Sequence, residues 1–161
     1  MKILGIDPGF ERLGIAILEK KSGGKKERVL FSECFKTSAL LGFPERLFLV
    51  GKEIEKIIKK YHPEILSIET LFLTTNQKTV MQVAEVRGMI IYQGIKNKMK
   101  IFEASPPQIK IATTGHGRAD KNQIIKMVKL LVDIDQTKKS DDELDAIATA
   151  LTAFAHLKNS V

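Results

Sequence analysis

The sequence predicts an α/β domain with a mixed five-stranded sheet and helices covering both faces, and three observations predict it. The first third holds three apolar runs joined by short turns. Helical and strand-like periods then alternate through the rest of the chain. Three helix starts also carry paired capping residues, which fix where the alternation changes phase.

Residues 2–7 (KILGID) are nearly all apolar, as suits a strand buried on both faces. Pro8-Gly9 breaks that strand, and residues 13–19 (LGIAILE) form a second apolar run. Lys21-Ser22-Gly23-Gly24-Lys25 turns the chain into a third strand at residues 27–36 (ERVLFSECFK). Short turns between three strands suggest an antiparallel meander. Residues 44–60 bring Leu47, Val50, Ile54, Ile57 and Ile58 round at helical spacing, with Lys52, Lys56, Lys59 and Lys60 elsewhere on the surface. His62-Pro63 ends that helix. Residues 64–69 (EILSIE) look like a fourth strand, and 76–98 like a long helix marked by Val80, Val83, Ile90 and Ile91. Residues 100–104 (KIFEA) make the fifth strand. Ser105 caps the next helix, with Pro106 at its first position and Gln108 closing a capping box. Another helix starts near Asp120, partnered by Gln123, and the last at Ser140, partnered by Glu143. Leu144, Ile147, Ala148, Leu151 and Ala155 form its apolar stripe.

At 161 residues, with no internal repeat, low-complexity tract or Pro/Ser linker, a single domain over residues 1–161 is expected. Hydrophobic residues at 43% and charged residues at 28% are ordinary for a soluble protein. No apolar run approaches the roughly 20 residues of a membrane span, so no membrane partner is expected. Residues 1–7 lack the apolar core and cleavage site of a signal peptide. Cys34 stands alone, which excludes an internal disulfide and a thiolate-built metal centre and points to a cytoplasmic protein. Twenty-six basic against 19 acidic residues give a net charge of +7 and a pI near 9.5. That excess suits a polyanion, because neutralising phosphates releases counterions. A surface solvated by lysine accounts for the same excess.

Within this basic chain, acids fall at unusual places. Asp7 closes the first apolar strand and Glu69 the fourth, where an unpaired charge is costly. Asp142 and Asp145 lie three apart at the head of the last helix, beside Asp141. If strands one and four are neighbours, Asp7 and Glu69 share one edge of the sheet. Such a cluster repels itself unless a cation compensates it, and hard oxygen ligands favour Mg²⁺ or Mn²⁺. Two such ions, about 3.5–4 Å apart, would activate water and stabilise the leaving oxygen of a phosphodiester. Taken singly, each acid has a plainer account: Asp7 a turn start, Glu69 a strand-end charge reaching solvent, Asp141 and Asp142 partners of a helix dipole.

The segment Gly5-Ile6-Asp7-Pro8-Gly9 with Gly14, then Ser67-Ile68-Glu69, Ala84-Glu85-Val86-Arg87-Gly88 and Asp142-Glu143-Leu144-Asp145-Ala146, resembles the RuvC family of Holliday-junction resolvases. Pro107-Gln108-Ile109-Lys110 through Gly117 and Lys121 falls at the same family's spacing. The resemblance implies a ribonuclease-H-like fold. It also implies that Asp7, Glu69, Asp142 and Asp145 are the catalytic, metal-binding carboxylates, preferring Asp142 to Asp141 on the family's Asp-x-x-Asp-Ala spacing alone. The implied activity is two symmetric, metal-dependent cuts in four-way junction DNA during recombination and repair. Further implications are a homodimer with the 76–98 helix near its interface, junction-binding roles for Phe72, Lys110 and Lys121, and a branch-migration partner of the RuvAB type. In that helix Ala84, Gly88 and Gly94 would permit close approach while Val83, Ile90 and Ile91 supply apolar area. Packing under the sheet explains the same residues. One departure from the family stands out: Phe10-Glu11-Arg12-Leu13 follows the Pro-Gly turn without the small hydroxyl residues common there.

Thr113 to Arg118 forms a basic loop suited to phosphates, with Arg118 the candidate contact; a plain surface loop is the alternative. His116 could aid proton transfer, although a lone loop histidine is usually incidental. Phe72 could stack on an unpaired base or anchor its loop on the core. The functional alternatives are a ribonuclease-H-like nuclease acting on another structured nucleic acid and a non-catalytic junction binder. An actin-like kinase or ATPase would need a second Gly-rich phosphate loop, which the sequence lacks.

Overall fold

The structure, a computed structural model, describes residues 1–21, 23–24, 26–71, 77–134 and 139–158. Its strands are β1 (Lys2–Asp7), β2 (Arg12–Glu19), β3 (Glu27–Lys36), β4 (Ile65–Glu69), β5 (Lys100–Ala104) and β6 (Val132–Asp133). Its helices are α1 (Phe43–Tyr61), α2 (Gln77–Lys96), α3 (Pro106–Thr114), α4 (Lys121–Leu131) and α5 (Asp141–Lys158). The strands form one sheet in the order β5-β4-β1-β2-β3-β6. The expected meander is present: β1, β2 and β3 pair antiparallel, and β4 joins the other edge of β1 in parallel, followed by parallel β5. The sheet is six-stranded rather than five-stranded, because β6 pairs with the start of β3 through two residues. Two residues are too short to display any alternation.

Alternation along the central strands sorts side chains between two cores. Leu4 and Ile6 of β1, with Leu13, Ile15 and Ile17 of β2, face α1 and α2, where Val50, Ile54, Ile57, Val86 and Ile90 cover them. Ile3, Ala16 and Leu18 face the opposite layer of α3, α4 and α5, packing on Ile147, Ala150, Leu151 and Phe154. Asp7 follows the phase of Ile3 and Gly5, and Glu69 that of Ile65 and Ser67, so both acids belong to the α5 side. Ile6 pairs with Ile68, confirming that the strands ending in Asp7 and Glu69 are neighbours.

Helix α5 lies unusually close to this face. A Cβ on Gly5 would overlap the Ala146 carbonyl and stand 2.7 Å from the Ala150 Cβ. A Cβ on Gly14 would overlap the Asp142 carbonyl. Gly5 against Ala146 and Ala150, and Gly14 against the Asp142 backbone, thus let the helix descend onto β1 and β2. The Ser67 hydroxyl, fully buried, donates to the Thr149 carbonyl at 2.6 Å and ties β4 to the same helix.

The predicted caps form. The Ser105 hydroxyl accepts from the Gln108 amide and Asp120 accepts from the Gln123 amide at 2.9 Å. The Ser140 backbone amide donates to the Glu143 carboxylate at 2.9 Å, fixing the head of α5. His62 takes a left-handed conformation (φ 49°) to end α1 ahead of Pro63.

Candidate active site

Three elements deliver acids to one end of the sheet. β1 ends in Asp7, β4 ends in Glu69 beside it, and the close approach of α5 brings Asp142 and Asp145 over both. Gly14, the register partner of Asp7, leaves the space in which they meet: a Cβ there would stand 3.0 Å from the Asp7 Cβ. A sequence reading has no view of that proximity. Its signal was Gly5 and Gly14 on adjacent strands with Ala146 and Ala150 one turn apart on the helix.

The electrostatics are those of a crowded carboxylate cluster. Burial, then the charges of Asp145, Glu69 and Asp142, raise the Asp7 carboxyl from 3.8 to about 7, with Lys121 opposing. Burial and Asp145 raise Glu69, and burial raises Asp145 despite its bond from Lys121. Asp142 goes the other way. Burial would raise it, but hydrogen bonds from Arg12 and Cys34 outweigh burial and hold it below the ordinary aspartate value. Asp141 is exposed and pairs with Lys121 at 3.3 Å.

Cations of the chain itself engage two of these acids. Lys121 Nζ lies 3.2 Å from Asp145 Oδ2, while Arg12, at the start of β2, forms an ion pair with Asp142. Among the described residues no three Asp, Glu, His or Cys side chains converge on a common point as metal ligands. In charge and donor chemistry the cluster nevertheless fits a hard divalent cation. It is all oxygen, half-buried, and holds Asp7 in a field that only positive charge relieves.

Glu69, Asp145, Lys110 and Lys121 line a single cleft of about 250 Å³, closed by Pro106, Ile109, Ala119, Asp120, Ile124 and Thr149. Two lysines picked from the sequence therefore border two of the acids. Arg118 and His116 are exposed and line a neighbouring depression with Thr114, Gln123, Lys126 and Met127. His116 thus borders that depression rather than the acidic cleft. Phe72 lies outside the described residues.

Arg87, within the Ala84-Glu85-Val86-Arg87-Gly88 segment, is a site neighbour that nothing in the sequence marks as such. Its Nε donates to the Glu69 carbonyl at 3.1 Å while its guanidinium pairs with Glu103, bracing the ends of β4 and β5 against α2. Helix α2 corrects part of the expected contact surface. Ile90 is buried, and a Cβ on Gly94 would meet Ile101 at 2.8 Å and Leu66 at 3.0 Å, so both residues face the sheet. No described helix is long and apolar enough to cross a membrane.

The family model of the crossover junction endodeoxyribonuclease RuvC matches residues 3–153. A crossover junction endodeoxyribonuclease RuvC from Caldanaerobacter subterraneus subsp. tengcongensis is 41% identical over 151 residues, 94% of this chain and 90% of the relative. Among solved structures, Thermus thermophilus RuvC in complex with a Holliday junction substrate superposes with a TM-score of 0.91 at 26% identity. That match covers 99% of this chain and 96% of the other. The yeast mitochondrial Holliday junction resolvase matches with a TM-score of 0.72 at 15% identity, over 98% and 82% of the two chains, a likeness of fold alone.

Proposed function

The chain belongs to the RuvC family of crossover junction endodeoxyribonucleases, and from that premise we propose that it resolves four-way DNA junctions through Asp7, Glu69, Asp142 and Asp145. The observation that carries this reading is the rise of Asp7 to about 7 under burial and three neighbouring carboxylates, inside a chain of net charge +7. Mutual repulsion of that kind is retained in a fold when a cation or a reacting group uses it.

The four carboxylates are the residues that would hold divalent metal, with Mg²⁺ as the physiological ion, Mn²⁺ as its substitute and two ions per site. Bound there, the metal would supply a water nucleophile at neutral pH and charge stabilisation at the leaving oxygen. Lys110 and Lys121, on the wall of the cleft that Glu69 and Asp145 share, contact strand phosphates, and Arg118 extends that basic surface. Lys121 also restrains Asp145 and Asp141 while the cleft is free of nucleic acid. Water adds to phosphorus, the bond to the 3′ oxygen breaks, and a 5′-phosphate and a 3′-hydroxyl remain. Junction symmetry calls for two such sites. The dimer that supplies them is formed through the outer face of α2, where Met81, Tyr92 and Ile95 are exposed. A branch-migration complex of the RuvAB type is the partner that the resemblance supplies.

A panel of labelled four-way junction, duplex, flap and RNA–DNA hybrid with Mg²⁺ tests the substrate. The expected result is paired nicks in the junction alone; preferential cutting of flap or hybrid would move the chain to another structured substrate. Asp7→Asn, Glu69→Gln, Asp142→Asn and Asp145→Asn should each remove most cleavage while junction binding persists, because affinity comes from Lys and Arg contacts to phosphate. Normal turnover in Asp142→Asn with loss in Asp141→Asn would move the ligand by one residue.

A further inference from the structure

Arg12 opens β2 just past the Pro8-Gly9 turn, and the structure pairs it with one of the four acids. Its Nε donates to Asp142 Oδ2 at 3.1 Å, and its Nη2 pairs with the same oxygen. The Cys34 thiol also donates to that oxygen, at 3.4 Å. Burial raises the Cys34 pKa, so it stays a neutral donor. Three donors thus engage one carboxylate oxygen. The Asp142 side chain is only 19% exposed, whereas that of Arg12 is 52% exposed and lies toward solvent.

A guanidinium keeps its proton under any physiological condition, so it leaves Asp142 only by moving. A divalent cation bound at Asp142 Oδ2 would displace it, and the displaced charge would stay at the mouth of the acidic site. The forked N–H groups of arginine match phosphate oxygens bidentately. We propose that Arg12 is an exchanging counter-ion: it holds Asp142 while the site is free of metal, and grips a phosphate of the bound DNA strand once a divalent cation takes that carboxylate. The exchange breaks hydrogen bonds to Oδ2 and forms hydrogen bonds to a phosphate oxygen, and no proton or covalent bond changes hands. It makes Arg12 a positioning residue that couples metal to DNA. Metal loading alone works against the Arg12–Asp142 pair, whereas metal loading with DNA present gains the released arginine as a phosphate contact, and by linkage each ligand tightens the other. The inference rests on Asp142 being a metal ligand.

The test measures Mn²⁺ binding to the free protein by electron paramagnetic resonance, and junction binding across a salt series with and without Ca²⁺, a hard cation suited to the same oxygens. In Arg12→Ala, Mn²⁺ should bind about threefold to tenfold more tightly, since a half-exposed ion pair no longer competes. Arg12→Lys, a point charge without the fork, should fall between the two. Adding Ca²⁺ to the wild-type protein should steepen the slope of log affinity against log salt by about one phosphate contact, and Arg12→Ala should lose that increment. Unchanged or weaker Mn²⁺ binding in Arg12→Ala, with an unaltered melting temperature, overturns the exchange. So does a Ca²⁺-dependent increment that survives in that variant. Asp142→Asn separates the two levels of inference. If it leaves Mn²⁺ affinity intact, the parent reading of Asp142 falls and the exchange with it; if it abolishes one site while Arg12→Ala changes nothing, only the exchange falls.

Discussion

At the scale of single residues the site trades stability for charge. Asp7 is an acid whose folded pKa, about 7, lies above its ordinary 3.8. The stability it contributes is therefore fully present below the ordinary value and is lost as pH rises through about 7. Asp7→Asn removes that loss. In EDTA, the melting temperature of the variant should exceed that of the wild type by a margin that grows from about pH 4 to about pH 7 and is level above that. A margin independent of pH would show that Asp7 is compensated in the metal-free protein. Added divalent metal should raise the wild-type melting temperature at about pH 8 and leave the variant less changed, since a ligand stabilises only the state that binds it. The two cleft lysines should separate as well. Lys110→Ala should weaken junction binding and flatten its salt slope by about one. Lys121→Ala should do the same while also freeing Asp145 and Asp141, so its metal affinity should change where that of Lys110→Ala does not. Equal metal affinities would mean that the Lys121 pairs exert no hold on the acids. Asp7 and Glu69 stand out in the sequence because a carboxylate closing an apolar strand is anomalous in one dimension, whereas Asp142 and Asp145, at a helix head that favours acids anyway, are singled out only by the resemblance. Arg12 was visible only as a departure from pattern, since its partner lies 130 residues away.

At the scale of elements, α5 is the piece that assembles the site, and the contact of Gly5 and Gly14 with it is the most sensitive joint. Gly14→Ala would drive a methyl group into the Asp142 carbonyl, with backbone on one side and Asp7 on the other, leaving no flexible atom to yield. The expected cost is about 1–3 kcal/mol, read by urea denaturation, together with weaker metal binding as the head of α5 lifts from β1. Gly14→Ala at wild-type stability with full metal affinity would show that the helix has slack. Ser140→Ala should cost about 1 kcal/mol through the lost cap. Most elements were legible because their periods are local: the meander, the three capping boxes at Ser105, Asp120 and Ser140, and the stripe of α5 depend on neighbours a few residues apart. β6 was not legible, since its two residues earn strand geometry only by lying beside Glu27 and Arg28. The approach of α5 was not legible either, because small residues on separate elements declare no contact until the topology brings them together.

At the scale of the whole molecule, the described residues of one chain form one acidic cluster around Asp7, while a four-way junction is resolved only by two cuts related by a two-fold axis. An isologous dimer supplies two clusters under the same operator. Helical periodicity left both faces of α2 available for that contact; burial now divides them. Val86, Ile90 and Gly94 face the sheet, while Met81, Ala84, Gly88, Tyr92 and Ile95 fall on the outer face, with Met81, Tyr92 and Ile95 at least 60% exposed. Gly88 is the sharpest probe. No atom lies within 4 Å of a Cβ built on it, so Gly88→Leu should fold normally, and leucine suits a helix better than glycine. Where two copies approach closely, the same side chain obstructs them. Gly88→Leu should therefore sediment as a monomer at concentrations where the wild type is a dimer, with melting of the monomer unimpaired. The functional counterpart is a mixed dimer of one wild-type and one Asp7→Asn chain, isolated by two affinity tags. On a cruciform plasmid it should leave a single nick per binding event, whereas the wild-type dimer linearises. Efficient linearisation by the mixed dimer, or paired cuts by monomeric Gly88→Leu bound one to one, would mean that a single acidic cluster serves both strands, and that the two-fold symmetry of the substrate is not matched by the protein.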